Sequence, residues 1–552
     1  MKRLVAAAGT LAVAVAGLAA VTVTTSAGAA SGKQARTVKA AAYTPPPLHW
    51  GKCTDPDLAG NPFGIKCADL VVPLDYTKPN GKKITLRVSR LLHSSPDSKY
   101  QGVMLTNPGG PGASGLYLAT YGTGDFVPGN GDLTYDWIGF DPRGVGSSKP
   151  TLSCNPKFFG HDRPSYIPTT AALQQFWLNK SDGYADDCAS APQRALLAHS
   201  TTMDTIRDIE SLRTALGQRS INFYGFSSGT QLEQVYATLH PQRVRRFILD
   251  SNIDPRDTQY SSGFGQDVAF EKTIKAYFGW LAKYSSVFQV GSDADTVEAG
   301  FYRELDKLEA KAVDGVGPDE LTDVFFDPGY YVYDWVEVGH AYADLVNNGD
   351  GSGIRQMYDD VNPSGPGGDN EFAMFLATTC TDDASWPSDT DKLILDSWRV
   401  YPQARFATWS GAWFSAPCSF WHAAPGQLPD VDGSKVSGKI LLIDETLDPA
   451  TPFAGSLEVR RRFPTASLIE GVNGTTHAGS LSGVACTDDA VGRYLTDGTV
   501  PPRLSGNRSD KKCPPVPQPD PTALKTLRKS AAPGDSAVLD HLRQVLANAQ
   551  IH

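Results

Sequence analysis

Gly225-Phe226-Ser227-Ser228-Gly229 constrains this chain more than any other stretch. A strand-like run, Ile221-Asn222-Phe223-Tyr224, leads into it. A helix-like run follows, in which Leu232, Val235, Tyr236 and Leu239 recur at i, i+3, i+4 and i+7. A serine on a tight strand-to-helix turn has its hydroxyl pushed out of the sheet, and the flanking glycines let the backbone turn without Cβ clashes. The helix N-terminus then aims free N–H groups at any negative charge that forms nearby. Ser227 is therefore the candidate nucleophile. A bare G-x-S-x-G is common and is usually a loop; the strand before and the helix after give this one its meaning.

Alternation of strand, loop and helix surrounds the motif. Leu70-Val71-Val72 leads to an Asn80-Gly81 turn signal, and Ile84, Leu86 and Val88 alternate with polar residues, the pattern of a hairpin with a half-buried strand. Val103-Met104-Leu105-Thr106 and Trp137-Ile138-Gly139-Phe140 are short buried strands, each ending in a Gly/Pro loop. A helix is predicted over 202–216, with Ile206, Ile209, Leu212 and Leu216 as its apolar face and Gly217 as its stop. The strand Arg246-Phe247-Ile248-Leu249-Asp250 follows the Ser227 helix. Such alternation implies an α/β fold, with a mostly parallel sheet covered on both faces.

The alternation breaks near Pro255. Residues 256–435 are aromatic-rich and mainly helix-like, with runs at 267–283 and 334–345. Sheet pattern resumes at Lys439-Ile440-Leu441-Leu442-Ile443 and near Ala466-Ser467-Leu468-Ile469. A helical insertion between two sheet strands is placed to form a lid over the strand C-termini, where ligands bind in such sheets. The organisation is thus a signal peptide (1–30), a first core part (31–255), the lid (256–435) and a C-terminal core part with tail (436–552). Within these, residues 31–48 read as a flexible leader, 513–522 as a Pro-rich linker, and Val538, Leu539, Leu542, Val545 and Leu546 as one face of a terminal helix.

The N-terminus has the layout of a cleaved export signal. Lys2 and Arg3 precede an apolar, Ala- and Gly-rich run over 4–23, and small residues end at Ala27-Gly28-Ala29. No other stretch reaches the length of a membrane span. An exported chain with eight cysteines suggests disulfides, and the nearest two, Cys53 and Cys67, are too far apart for a short zinc-type spacing. Sequence does not give the connectivity; pairing in chain order, 53–67, 154–188, 380–418 and 486–513, is the expectation. Net charge is −10, and two units more negative without Lys2 and Arg3. That balance offers no electrostatic footprint for nucleic acid or for an anionic membrane.

A serine nucleophile needs a base within hydrogen-bond reach and an acid to orient that base. In this layout the chain order is Ser, acid, His. Asp444, Glu445 and Asp448 follow the resumed strand, and Asp448 is favoured because it lies in a rigid loop, Leu447-Asp448-Pro449-Ala450-Thr451-Pro452. Only His477, His541 and His552 come later. His477, in a Gly-flanked loop after the last core strand, is the candidate base. The oxyanion of an attacked carbonyl needs preorganised backbone N–H groups. Ser228 supplies one by following the nucleophile, and Gly110, in Asn107-Pro108-Gly109-Gly110-Pro111-Gly112, supplies the other.

The same loop spells G-x-G-x-x-G through Gly110, Gly112 and Gly115, with Asp132 and Asp136 about twenty residues on. The dinucleotide-binding alternative is disfavoured by Pro111 where a helix should start and by export from the cytosolic cofactor supply. No cofactor and no metal are expected: G-x-x-x-x-G-K-[ST] and H-E-x-x-H are both missing.

Four segments together, Asn107-Pro108-Gly109-Gly110-Pro111-Gly112, Asp141-Pro142-Arg143-Gly144-Val145-Gly146, Tyr224-Gly225-Phe226-Ser227-Ser228-Gly229-Thr230 and Asp448-Pro449-Ala450-Thr451-Pro452, resemble the secreted bacterial tripeptidyl aminopeptidases. These are α/β-hydrolase serine peptidases related to the prolyl aminopeptidases. The resemblance spans about residues 48–513. It implies the α/β-hydrolase fold, Ser227 as nucleophile, Asp448 as acid, His477 as base, Gly110 and Ser228 as oxyanion donors, and release of short peptides from an unblocked N-terminus. The family usually has Tyr after the nucleophile where this chain has Ser228; the N–H survives, and the missing ring alters the pocket wall. Cys380-Thr381-Asp382-Asp383 resembles a family segment near the site, making Asp382 a candidate partner for the substrate α-ammonium. A secreted esterase with the same triad, or a catalytically silent α/β-hydrolase used for binding, would share most of these features.

Overall fold

The computed structural model describes residues 43–523. The export-signal segment, the first residues of the leader and the C-terminal helical pattern lie outside the described residues. The frame is a ten-stranded sheet: β1 (Gly51–Lys52), β2 (Lys66–Pro73), β3 (Lys83–Leu91), β4 (Val103–Asn107), β5 (Asp136–Phe140), β6 (Ile221–Phe226), β7 (Val244–Asp250), β8 (Ile440–Glu445), β9 (Ala466–Gly471) and β10 (Lys511–Cys513). Their order across the sheet is β1-β2-β3-β5-β4-β6-β7-β8-β9-β10. From β5 to β10 every neighbour is parallel; β1, β2 and β3 form the antiparallel edge.

The sequence patterns account for this division. β3 alternates, its Ile84, Leu86 and Val88 buried and its Thr85 and Arg87 half-buried. The central strands β4, β6 and β8 are buried at every position, as strands covered on both faces must be. Residues alternate between two cores along each strand. Val103, Leu105, Phe247, Leu249, Ile440 and Leu442 pack with the helices α2 (Thr202–Ala215) and α3 (Ser228–Leu239), which follow α1 (Ala171–Ser190) in the chain. Met104, Ile248, Leu441 and Ile443 pack with Tyr117, Leu118, Val491 and Tyr494 from the short helix Leu116–Thr123 and the helix Ala485–Asp497. With both faces apolar, alternation alone does not set the register of β8. Its end does: Asp444 accepts from Ser456 Oγ, and Glu445 accepts from the amides of Thr476 and Val516. A one-residue slip would strand two buried carboxyl groups, which are costly to leave unpaired.

The segment between β7 and β8 is helical and has an aromatic core of its own, including Phe270, Tyr277, Trp280, Phe301, Phe325 and Trp335. Its first helix, Gln259–Lys283, is longer than the predicted run at 267–283 because Thr258 and Ser261 form a capping box upstream. Four disulfides join Cys53–Cys67, Cys154–Cys188, Cys380–Cys418 and Cys486–Cys513, the chain-order pairing.

Two expectations are corrected. The leader is not loose from Tyr43 onward: Tyr43 Oη donates to the Val71 carbonyl at 2.7 Å, and Pro45 is buried. Nor does 513–522 behave as a free linker. It opens inside β10, Val516 N donates to Glu445, and the Pro519 carbonyl accepts from Trp280 Nε1 at 2.9 Å. A Pro-rich segment has few donors of its own, yet its carbonyls remain good acceptors for a body that has donors to spare.

Candidate active site

Ser227 sits between β6 and α3 with φ 54° and ψ −127°. That left-handed backbone is costly for a residue with a side chain, and it persists because its surroundings over-determine it. A Cβ on Gly225 would lie 2.9 Å from the Gly229 carbonyl, and one on Gly229 would meet the Asn107 carbonyl at 2.7 Å. Only glycine fits on either side. Ser227 N donates to the Asp250 carbonyl at 3.0 Å, which ties the turn to the end of β7.

The loop after β4 presses on this turn. A Cβ on Gly109 would lie 2.7 Å from the Phe226 carbonyl, 2.9 Å from Ser227 Cβ and 3.0 Å from Ser228 N. Gly109 and Gly110 both take positive φ, at 106° and 98°, and Asn107 Oδ1 accepts from Gly109 N at 3.0 Å. Gly110, Ser227 and Ser228 line one cavity of about 440 Å³, within the size range of small-ligand sites.

Asp448 and His477 are brought together from separate loops. Nδ1 of His477 lies 2.8 Å and 3.0 Å from the two Asp448 carboxylate oxygens, and both residues are buried. An ionised carboxylate only accepts, so Nδ1 carries the proton and Nε2 is left with its lone pair. Asp448 also accepts from the amides of Ala450 and Thr451 at 2.9 and 2.8 Å, from Thr451 Oγ1 at 3.0 Å and from Ser251 Oγ at 2.6 Å. Neither of the other two acid candidates bonds His477: Asp444 accepts from Ser456 Oγ, and burial and the charge of Asp448 beside it hold its carboxyl well above the usual range, while Glu445 holds the amides of Thr476 and Val516.

The histidine loop is pinned residue by residue. Thr476 N donates to Glu445 at 2.7 Å, His477 N to the Tyr330 carbonyl at 2.9 Å, Ala478 N to Ser251 Oγ at 2.7 Å and Ser480 N to Asp250 at 2.9 Å. Burial pushes the carboxyl of Glu445 up to about 8 and that of Asp250 to about 6. Thr451 and Tyr330 line the same cavity as Ser227. The backbone of β7 therefore links the parts: Ser227 bonds Asp250, and the next residue, Ser251, bonds Asp448.

Asp382 does not line that cavity. It is 4% exposed, and its Oδ1 accepts from Thr202 N at 2.9 Å, at the first turn of α2. A helix start has unsatisfied amides and a positive end, and a carboxylate meets both. Burial raises this carboxyl to about 7. The ammonium-binding expectation is therefore corrected at this residue. Of the acids in the alternative dinucleotide pattern, Asp132 accepts from Gly124 N and Asp136 from His93 N.

Ser251, Thr451 and Tyr330 were not singled out by sequence. For Ser251 a usable signal existed, since a polar Asp-Ser-Asn run closes an apolar strand at the carboxyl edge of the sheet. Tyr330 holds the His477 amide through its carbonyl, a bond that leaves no mark on residue identity, and sets its ring edge-on to the imidazole.

Two family models match the chain, a TAP-like protein model over residues 404–513 and an alpha/beta hydrolase fold model over residues 102–313. The tripeptidyl aminopeptidase of Streptomyces lividans is 32% identical over 449 residues, covering 80% of this chain and 83% of that protein. The chain belongs to the tripeptidyl aminopeptidase family. It has the α/β-hydrolase fold and is a serine peptidase acting on peptide substrates. Serine protease Hip1 of Mycobacterium tuberculosis is 28% identical over 479 residues, 83% of this chain and 90% of that one. A carboxylesterase B of the same species is 28% identical over 457 residues, 79% and 85% respectively. Among the described residues of this peptidase, no helix is long and apolar enough to cross a membrane.

Proposed function

We propose that this chain is an exported exopeptidase that releases short peptides, tripeptides in the first place, from free N-termini, through an acyl-enzyme on Ser227. Ser227 Oγ attacks the scissile carbonyl carbon while His477 Nε2 takes its proton. The oxygen becomes negative as the tetrahedral intermediate forms, and the N–H groups of Gly110 and Ser228 receive it. His477, now cationic and held by Asp448, gives its proton to the departing amine, and the C–N bond breaks. Water then repeats the sequence on the ester, releasing the acid product and restoring Ser227. Residues 256–435 act as a lid that limits how much chain enters.

One observation carries the reading: the Asp448–His477 pair at 2.8 Å, joined through Ser251 and Asp250 to the positive-φ turn that bears Ser227. Aminopeptidase action is supported by the relatives, which include the tripeptidyl aminopeptidases of two Streptomyces species. Export is supported by four disulfides, which persist in oxidising compartments.

The test uses purified protein with chromogenic tripeptide and single-residue amides, and mass spectrometry of products from a free-N-terminal peptide library beside its acetylated twin. The expected result is tripeptide products from the free library only, and a loss of about 10⁴-fold or more in Ser227→Ala. Retained turnover in that variant would overturn the mechanism. A second reading, an esterase with the same parts, is favoured by the likeness to carboxylesterase B. Aryl-ester turnover without any amide turnover would select it.

A further inference from the structure

The cavity that holds Ser227 has four carboxyl groups in its wall: Asp254, Asp257, Asp267 and Asp323. Three are accounted for. Asp254 is clamped by the guanidinium of Arg256. Asp323 bonds Arg163 Nη2 at 2.6 Å and Tyr166 Oη at 2.9 Å. Asp257 is exposed, where water solvates it. Asp267 differs from all three. It is 6% exposed, and among the described residues no hydrogen-bond donor and no cation lies beside it. It projects from the lid helix Gln259–Lys283 toward Gly411, where a Cβ would lie 2.8 Å from its Oδ1. A side chain at 411 would crowd the carboxyl out of its place.

A buried carboxyl with no partner is a cost that the fold alone does not explain, since an apolar residue would pack there without penalty. Aimed into a substrate cavity, it waits for a donor that the substrate brings. Phe270, Phe326 and Phe414 line the same cavity, so a cation arriving there is shielded from water on an aromatic wall.

We propose that Asp267 is the anchor for the substrate's free α-ammonium, and that this contact makes the enzyme an exopeptidase for unblocked peptides. The proposal rests on the aminopeptidase reading above. In the empty cavity burial holds the Asp267 carboxyl up at about 8. An ammonium at hydrogen-bond distance favours the ionised form, so the charge appears when the partner arrives. An N-acetylated peptide brings an amide in place of the cation and leaves the carboxyl without its ion partner.

The experiment compares a chromogenic tripeptide amide, its N-acetylated twin and a small aryl ester on the wild type, Asp267→Asn and Asp267→Glu. The wild type is expected to prefer the free amine. In Asp267→Asn, kcat/KM for the free-amine peptide should fall about 100-fold, mostly through KM, as when one partner of a buried charge pair is truncated. The acetylated peptide and the ester bring no ammonium, and their turnover should fall no more than about 3-fold, the range of a small context effect. Asp267→Glu keeps the charge and should retain part of the preference. If Asp267→Asn does not fold, as judged by circular dichroism and thermal unfolding, Asp267→Ser carries the same comparison. An equal loss on all three substrates, or an unchanged ratio of free to acetylated rates, would overturn the assignment. Failure of the aminopeptidase reading is seen earlier and separately, in a wild type that cleaves acetylated and free peptides alike, and it removes the assignment with it.

Discussion

Ser251 Oγ donates to Asp448 Oδ2 at 2.6 Å while accepting from Ala478 N at 2.7 Å. One hydroxyl thus fixes both Asp448 and the loop that carries His477. Ser251 takes φ 62°, which turns it back across the end of β8, where its amide bonds the Ile443 carbonyl. A hydrogen bond to a charged group is worth about 1.5–3 kcal/mol. Ser251→Ala removes it and leaves the Ala478 amide unpaired. The expected outcome is a kcat lower by about 10–100-fold, with KM changed by less than about twofold, because Ser251 acts through Asp448 rather than on substrate. Steady-state kinetics on a tripeptide amide decide this, and a loss confined to KM would refute the positioning role.

Gly109 tests the contact between the candidate oxyanion loop and the turn that bears Ser227. An added Cβ meets backbone, the Phe226 carbonyl at 2.7 Å, so no flexible side chain can move aside, and φ 106° is strained for alanine in any case. Gly109→Ala must push the loop away from Ser227 and carry Gly110 with it. Loss of one oxyanion donor costs about 10²–10³ in kcat. That loss is expected, together with retained labelling by a fluorophosphonate probe, at a reduced rate, if Ser227 and His477 still work together. Full activity would show that the loop supplies no donor.

Much of the candidate site's geometry was legible in the residues because its parts depend on local chemistry. Ser227 announces itself by glycines on both sides, and Asp448 by a proline-stiffened loop past a strand. His477 emerged because so few histidines follow. The chain-order disulfides were also anticipated. What stayed hidden was long-range. Glu445 was weighed as a triad acid because it ends β8, yet its two oxygens hold the amides of Thr476 and Val516, from loops 31 and 71 residues away. Asp382 shows the same limit: its neighbours in sequence belong near the cleft, Thr379 and Trp386 lining it, while its own carboxyl faces the start of α2. Helical periodicity marks which residues share a face and says nothing of what that face meets.

The Asp267 carboxyl also makes stability depend on pH. Its folded value, about 8, lies above the ordinary carboxyl value of about 3.9. A raised folded value means stabilisation fully present below about pH 4 and lost as pH rises toward 8, because the folded state keeps a proton the unfolded state releases. The slope from one such group is at most about 1.4 kcal/mol per pH unit. Asp267→Asn is neutral throughout, so its stability should fall less between pH 5 and 8 than that of the wild type. Denaturant unfolding at both pH values gives the comparison. A wild type and variant with parallel profiles would show that Asp267 is already ionised in the folded enzyme.

The Cys486–Cys513 bridge reaches the site from outside it. It ties the helix Ala485–Asp497 to β10, the strand from which the chain runs on to Val516 and its bond to Glu445. Glu445 in turn holds Thr476, the residue before His477. Closing a loop with a sequence separation of 27 stabilises by about 3.5 kcal/mol in the chain-entropy account. Replacing both cysteines by serine should cost stability of that order. It should also loosen the 513–522 segment, so that limited proteolysis there precedes global unfolding and kcat falls with it. The Cys53–Cys67 bridge, at the β1–β2 edge, offers the control. Its double serine variant should lower stability while leaving kcat of the folded enzyme within about twofold, the latitude of a change remote from the chemistry. Equal effects of the two variants on kcat would mean that stability, and not the path through Val516 and Glu445, governs the histidine loop.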